Sequence, residues 1–362
     1  MTDILQFGTS RFLQAHADLF FDEGTPPRRV TVVQTSGDPA RARRLAALAA
    51  PEGYPVRIRG LADGEVVDET RHVRSVERTL STATEWPAVV AAAVAARLII
   101  SNTADAGYEP RPADARRDDP QAMSFPAKLA LLLEARQRAG AEPVTILPME
   151  LITDNGVVLS KRVREVAAGW GADAAVLAHI DACRWMNSLV DRIVSEPIEP
   201  AGAVGEPYAL WAIEARPGFE APTAHPDIQV VDDLEPITCL KLFILNLGHS
   251  VMAEAWQRAG ATPADLTVRA VMDGPGRADV EALLREEILP GFAKKNLGVE
   301  AETYLATTLE RFANPFLDHK LADIAQNHTQ KLERRVRGFF DWSGLAEADA
   351  PRLARIAADN GI

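Results

Sequence analysis

The sequence predicts an α/β nucleotide-binding domain of Rossmann type, a mostly parallel sheet with an appended hairpin, followed by a mostly α-helical domain. Three observations carry this reading. Short β-branched runs alternate with helical patterns through the first two-thirds of the chain, which is the signature of βαβ units. The alternation stops near Asp233, and helical periodicity then runs almost to Ile362. The chain has 362 residues, more than one small core needs, so a boundary at that change gives domains over 1–234 and 235–362.

The elements follow in order. Ile4 to Phe7 is a short apolar strand ended by Gly8, and Phe12 to Phe21 has helical periodicity with Phe12, Ala15, Leu19 and Phe20 on one side. Val30 to Gln34 is a second strand, followed by an Ala/Arg/Leu helix to Ala50. A βαβ unit at this position usually binds a dinucleotide at its first turn, here Gly8, Thr9 and Ser10 with Phe12 beyond. The turn carries one glycine where the usual fingerprint carries three. At the end of the second strand the acidic residue expected for the adenosine ribose is replaced by Gln34. Arg41, Arg43 and Arg44 beyond it either receive a 2′-phosphate, as NADP would require, or form a solvated helix face.

Val56–Leu61 and Glu65–Thr70 flank Ala62-Asp63-Gly64 as a hairpin. The apolar run from Leu98 delivers Asn102 and Thr103 at a strand end, where ligands of open α/β sheets lie. Pro126 opens a helix to Arg138, and the strand Val144–Leu147 leads to Glu150 and Asn155. These suit a substrate or nicotinamide pocket, although Asp154-Asn155-Gly156 is equally a turn sequence. Asn187, a candidate substrate ligand, and Asp191, a candidate cofactor ligand, fall in the next strand-like stretch; Arg311, a further substrate candidate, precedes an Asn-Pro turn, and His319 and Lys320 after it either reach an acidic substrate or form a solvated face.

Composition narrows the function class. With 39 Lys+Arg against 51 Asp+Glu the net charge is −12, which argues against nucleic acid or an anionic membrane as the main partner. Cys183 and Cys239 have no metal-type spacing, so a reducing compartment, the cytoplasm by default, and no structural metal are expected. The N-terminus lacks a signal-peptide pattern, and the longest apolar run, Ala88 to Ala96, is too short to span a membrane.

The stretch Lys241-Leu-Phe-Ile-Leu-Asn246-Leu-Gly-His249 carries the chemistry. At about 100° per residue, Asn246 falls ~140° and His249 ~80° from Lys241, which makes one polar stripe opposite Phe243, Ile244, Leu247 and Val251. A lysine in an apolar setting is suited to general-base work, Asn246 to donating to an oxyanion, and His249 to orienting a hydroxyl. A snorkelling lysine, a capping asparagine and a core histidine fit the same spacing.

Taken together, Lys241, Asn246 and His249, the Ile4–Gly8 turn with Arg11-Phe12-Leu13, Ile99–Thr103 with Ala106-Gly107, Glu150-Leu151-Ile152 with Asn155-Gly156, Val190–Ile193 and Arg311-Phe312 with Asn314-Pro315 resemble the polyol-specific long-chain dehydrogenases. That family includes the mannitol dehydrogenases and hexuronate reductases. Glu150-Leu151-Ile152, Phe125–Lys128 and His319-Lys320 lean to its tagaturonate reductase branch. The resemblance implies NAD-dependent interconversion of a secondary alcohol and a ketone on an open-chain sugar acid or polyol, with Lys241 as general acid/base and Asn246 as oxyanion donor. It also implies a small-molecule substrate and a monomer or small homo-oligomer.

Three departures from the family pattern stand out. Ser10 and Arg11 replace the second glycine and the asparagine of Gly-x-Gly-Asn-Phe-His. Leu151 stands where polyol members carry a second oxyanion amide, a role open to Asn155 or Asn187. The helical part after Lys241 reads as shorter than the family's. An NADP-preferring reductase of another small ketone and a non-catalytic nucleotide-binding member are the rival readings.

Overall fold

A computed structural model describes residues 3–103 and 105–362. The strands are β1 (Ile4–Phe7), β2 (Val30–Gln34), β3 (Tyr54–Ala62), β4 (Glu65–Val73), β5 (Val76–Ser81), β6 (Leu98–Ser101), β7 (Thr145–Pro148), β8 (Arg184–Trp185), β9 (Ser188–Asp191), β10 (Val194–Pro197), β11 (Ala203–Gly205), β12 (Leu210–Glu214) and β13 (Ile228–Val231). The chain divides into two compact units. The first comprises residues 1–58, 69–205 and 209–234, and the second comprises 59–68, 206–208 and 235–362.

In the first unit a six-stranded sheet has the order β5-β2-β1-β6-β7-β8, with every recorded pairing parallel. Two strands run outward from β1 on one side, and the chain then returns to its other side at β6. This is the doubly-wound order, and its reversal between β1 and β6 is the switch point at which such sheets hold ligands. β1, β2 and β6 are buried at every residue, as expected of parallel strands covered on both faces. Leu5, Phe7, Val33 and Ile99 share one core with Leu129, Leu133, Leu159 and Ile180 from the helices Phe125–Arg138, Asn155–Gly169 and Ala174–Ala182.

Two smaller sheets complete the strands. β10-β11-β3-β4 contains the expected hairpin, whose turn residues Asp63 and Gly64 both have positive φ, 53° and 78°. Such a pair suits a two-residue hairpin connection. β13-β12-β9 forms the third sheet.

The helix expected over Phe12–Phe21 is instead two, Arg11–Gln14 and Ala17–Glu23. His16 breaks it, with φ −130° and ψ −96°, and its ring reaches the carbonyl of Leu210 at 2.9 Å. A buried histidine anchored outside its own helix overrides the local periodicity.

The second unit is built around a continuous helix over Glu235–Arg258, of which Lys241–Asn246 is π-helical. Two further π segments, Leu284–Ile288 and Glu333–Arg337, both touch it. The helix is long and apolar enough to cross a membrane by length and composition, so the sequence holds a longer apolar stretch than Ala88–Ala96. Its burial explains this: Phe243, Ile244, Leu247 and Met252 pack in the unit's core with Leu284, Phe292, Phe312 and Phe339. It is the central core helix of the second unit.

Candidate active site

The first unit gathers the predicted nucleotide residues, Asp191 excepted, at the carboxyl ends of its central strands. Phe7 pairs in register with Val33 and Ser101, so Gly8, Gln34 and Asn102 emerge as the next row. Gly8 has φ +124°, and a Cβ there would lie 2.6 Å from the carbonyl oxygen of Asn102. Any side chain at position 8 would therefore force β1 and the β6 exit apart, which is why glycine stands at this one point of the turn.

Ser10 Oγ accepts from the Leu13 amide and donates to Asn102 Oδ1 at 3.2 Å, while Asn102 Nδ2 donates to the Met149 carbonyl. These bonds tie the first turn to the ends of β6 and β7. Thr9 is buried, and Phe12 is half-buried with its ring stacked on His16. Gln34 is buried and donates to the Asp38 carbonyl. Of the arginines that follow it, Arg41 pairs with Asp38 and Arg44 with Glu199, so each already faces a carboxylate. Asp191 is buried in the three-stranded sheet opposite Leu210, outside the parallel sheet.

Glu150 departs from its expected role as a substrate ligand. It is 2% exposed and accepts from Ser101 Oγ, Tyr108 OH, the Met149 amide, and both the amide and hydroxyl of Thr103, at 2.9–3.1 Å. Burial pushes its carboxyl above the ordinary range, and these donors oppose the shift. The side chain clasps the ends of β6 and β7 from within.

Asn155 and Asn187 do not supply the second oxyanion amide that the sequence left open. Asn155 is fully buried, donates to the carbonyls of Pro148, Glu150 and Ser188, and accepts from the Ser188 amide. Asn187 accepts from the Gly156 and Val157 amides and donates to Glu214. Both amides spend their hydrogen bonds on the entry to the Asn155–Gly169 helix, whose first-turn N–H groups need such partners.

In the second unit the π segment changes the geometry of the Lys241 stripe. A π turn closes over five residues where an α turn closes over four. Asn246, five residues after Lys241, is thus about one turn above it, closer than regular α geometry places it. Both are half-buried. His249 is buried in the following α turn, its ring 4.7 Å from that of Phe312 and 5.1 Å from that of His319. Burial lowers the pKa of His319, with Asp323 opposing and Lys331 reinforcing. Lys320 is exposed in a bridge to Thr267.

Arg311 was expected to bind substrate, but it is buried in a bidentate pair with Glu206, Nη2 to Oε1 at 2.8 Å and Nε to Oε2 at 3.1 Å. Its guanidinium also lies 4.3 Å above the Tyr208 ring. Its role here is to hold segment 206–208 to the Gly298–Phe312 helix. Asn314 adds a bond to the Arg59 carbonyl. Arg335, which is not among the sequence candidates, donates from Nη1 to the Asn246 carbonyl at 2.9 Å and to Ser250 Oγ at 2.7 Å. The only signal was a basic run, Lys331 to Arg335, that reads as an ordinary helix face. Among the described residues no group of three or more His, Cys, Asp or Glu is placed to hold a metal ion.

The mannitol dehydrogenase Rossmann-domain model matches residues 2–226, and the mannitol dehydrogenase C-terminal-domain model matches residues 233–343. The chain belongs to the mannitol dehydrogenase family. As a member it is an oxidoreductase of CH–OH groups. Among its relatives are the altronate oxidoreductases of Bacillus subtilis (strain 168), 32% identical, and of Escherichia coli O7:K1 (strain IAI39 / ExPEC), 31% identical. Each alignment covers 92% of this chain and 73% of the relative.

The family fold recurs in solved structures at 18% identity. D-sorbitol dehydrogenase in substrate-free form superposes with a TM-score of 0.78 over 93% of this chain and 75% of that one. Pseudomonas fluorescens mannitol 2-dehydrogenase, in a ternary complex with NAD and D-mannitol, superposes with 0.73 over 99% and 79%.

Proposed function

We propose that this member of the mannitol dehydrogenase family is an NAD-dependent dehydrogenase interconverting a secondary alcohol and a ketone on an open-chain sugar acid of the altronate type, with Lys241 as general acid/base. The observation that carries the catalytic half is the π turn, which brings Asn246 within one turn of Lys241 beside the buried His249. The altronate oxidoreductase relatives support the substrate class.

NAD suits the first unit. The doubly-wound strand order puts its switch point at β1 and β6, and Gly8 leaves the first turn free of a side chain where a dinucleotide must approach the backbone. Gly8, Thr9, Ser10, Gln34, Asn102 and Thr103 would hold it. When bound, NAD supplies a nicotinamide carbon that accepts hydride. The chain's own residues do the rest. Lys241 takes the hydroxyl proton during oxidation and returns it during reduction, Asn246 donates its amide hydrogen to the substrate oxygen, and His249 orients that oxygen. With Asn155 and Asn187 engaged elsewhere, Asn246 and His249 carry this oxygen without a second amide.

The test follows nicotinamide absorbance with D-altronate and D-mannitol, for the wild type and Lys241→Ala. General-base groups typically contribute ~10²–10⁴-fold, so the variant should lose at least a hundredfold in kcat at neutral pH while binding NAD as before. Near-normal turnover by the variant would remove Lys241 from the mechanism. A wild type inert towards both substrates would remove the altronate and mannitol readings together.

A further inference from the structure

We infer that Arg335, seconded by Lys331, receives the carboxylate of the substrate and so selects sugar acids over neutral polyols; this rests on the sugar-acid reading above and names the group that would enforce it.

The argument begins with an electrostatic reversal. The chain carries a net charge of −12, yet its helical unit sets Lys331, Arg334 and Arg335 within five consecutive residues. Arg335 lies on the π segment Glu333–Arg337 and uses Nη1 to grip the Asn246 carbonyl and Ser250 Oγ. Both partners are neutral, and among the described residues no carboxylate pairs with its guanidinium. Lys331, four residues earlier, donates to the carbonyl of Ile324 at 2.7 Å and has no acidic partner among the described residues. Lys331 is close enough to Arg335 and His319 to affect the charge of each pair, and His319 stacks edge-on against His249.

Arg335, Lys331, His319 and His249 thus form a chain of basic groups beside the turn that carries Lys241 and Asn246. Asp323 faces His319 and opposes the lowering of its pKa by burial. Half-buried like-charged groups oppose one another and gain from an anion, and burial already lowers the pKa of Arg335 to about 10. Among the described residues Arg335 bonds through Nη1 alone, which leaves Nη2 and Nε as the planar fork that matches a carboxylate. A polyol has no group that needs such a fork, whereas an aldonate or uronate has one at the end of its chain. Bonding to the Asn246 carbonyl also sets the fork's distance from the reacting carbon, because Asn246 belongs to the catalytic turn.

The experiment compares kcat/KM for D-altronate and D-mannitol in the full-length wild type, Arg335→Gln, Arg335→Lys and Lys331→Gln, with the NAD dissociation constant measured for each. A charge-assisted bond to a carboxylate is worth on the order of a hundredfold, so Arg335→Gln should lower the altronate-to-mannitol ratio of kcat/KM by about that, beyond any loss the two substrates share through Asn246. Arg335→Lys should recover part of the loss, and Lys331→Gln should lose about tenfold for altronate alone. An equal fall for both substrates would make Arg335 a structural support and overturn the inference. A weakened NAD constant would assign the anion to a cofactor phosphate and overturn it as well. A wild type that oxidises mannitol but not altronate would overturn the carboxylate site while leaving the dehydrogenase reading intact.

Discussion

Asp18 shows how far one buried side chain can set the pH response of the fold. Desolvation raises its pKa from 3.8 to about 7, against hydrogen bonds from Tyr54 and Gln6. In the unfolded chain the group ionises near its ordinary value, so between about pH 4 and 7 the folded protein holds a proton that the unfolded chain has lost. Stability therefore falls as pH rises through this window, by up to about 4 kcal/mol for a shift of this size. Urea midpoints at pH 5 and 7.5 should show the decline in the wild type and a smaller one in Asp18→Asn; equal declines would clear Asp18. Nothing in the sequence marked this residue, since an aspartate within a helical run reads as solvated. The same limit applies to Glu150, Asn155 and Asn187. Their positions at strand ends were legible, but whether a polar group faces a ligand or the fold depends on donors such as Tyr108 and Ser188, which are distant in sequence.

Among the elements, the strands were the most readable, because parallel strands buried on both faces give unbroken apolar runs. The Lys241 helix is legible as a helix but not as a π turn: regular α spacing sets its polar stripe at about 100° per residue, and no composition rule announces a turn that closes over five residues. Arg311 was misjudged for a related reason. Its partner, Glu206, lies 105 residues earlier on a three-residue segment without regular structure. Removing one partner of a buried ion pair typically costs ~3–5 kcal/mol. Glu206→Gln should destabilise the protein by about that amount in chemical unfolding. A variant of normal stability that had instead lost only substrate affinity would restore Arg311 to the substrate site.

For the whole molecule, the doubly-wound order and the helical second unit followed from the change in periodicity near Asp233, but the division of the chain did not follow a single cut. Ligand binding to the folded protein raises stability by about 2.7 kcal/mol at a concentration one hundred times the dissociation constant. NAD at millimolar concentration should therefore raise the melting temperature more than NADP does, since Arg41 and Arg44 already face Asp38 and Glu199. A larger shift with NADP would reverse the cofactor assignment and return Gln34 to the NADP reading.

The second unit is assembled from residues 59–68, 206–208 and everything from 235 onwards. Its heritable unit is thus not a contiguous stretch of gene. A fragment starting at Glu235 would carry Arg311 without Glu206 and Asn314 without Arg59, a buried cation and an amide stripped of their mates. Recombination that shuffled the helical region as a cassette would leave these residues behind.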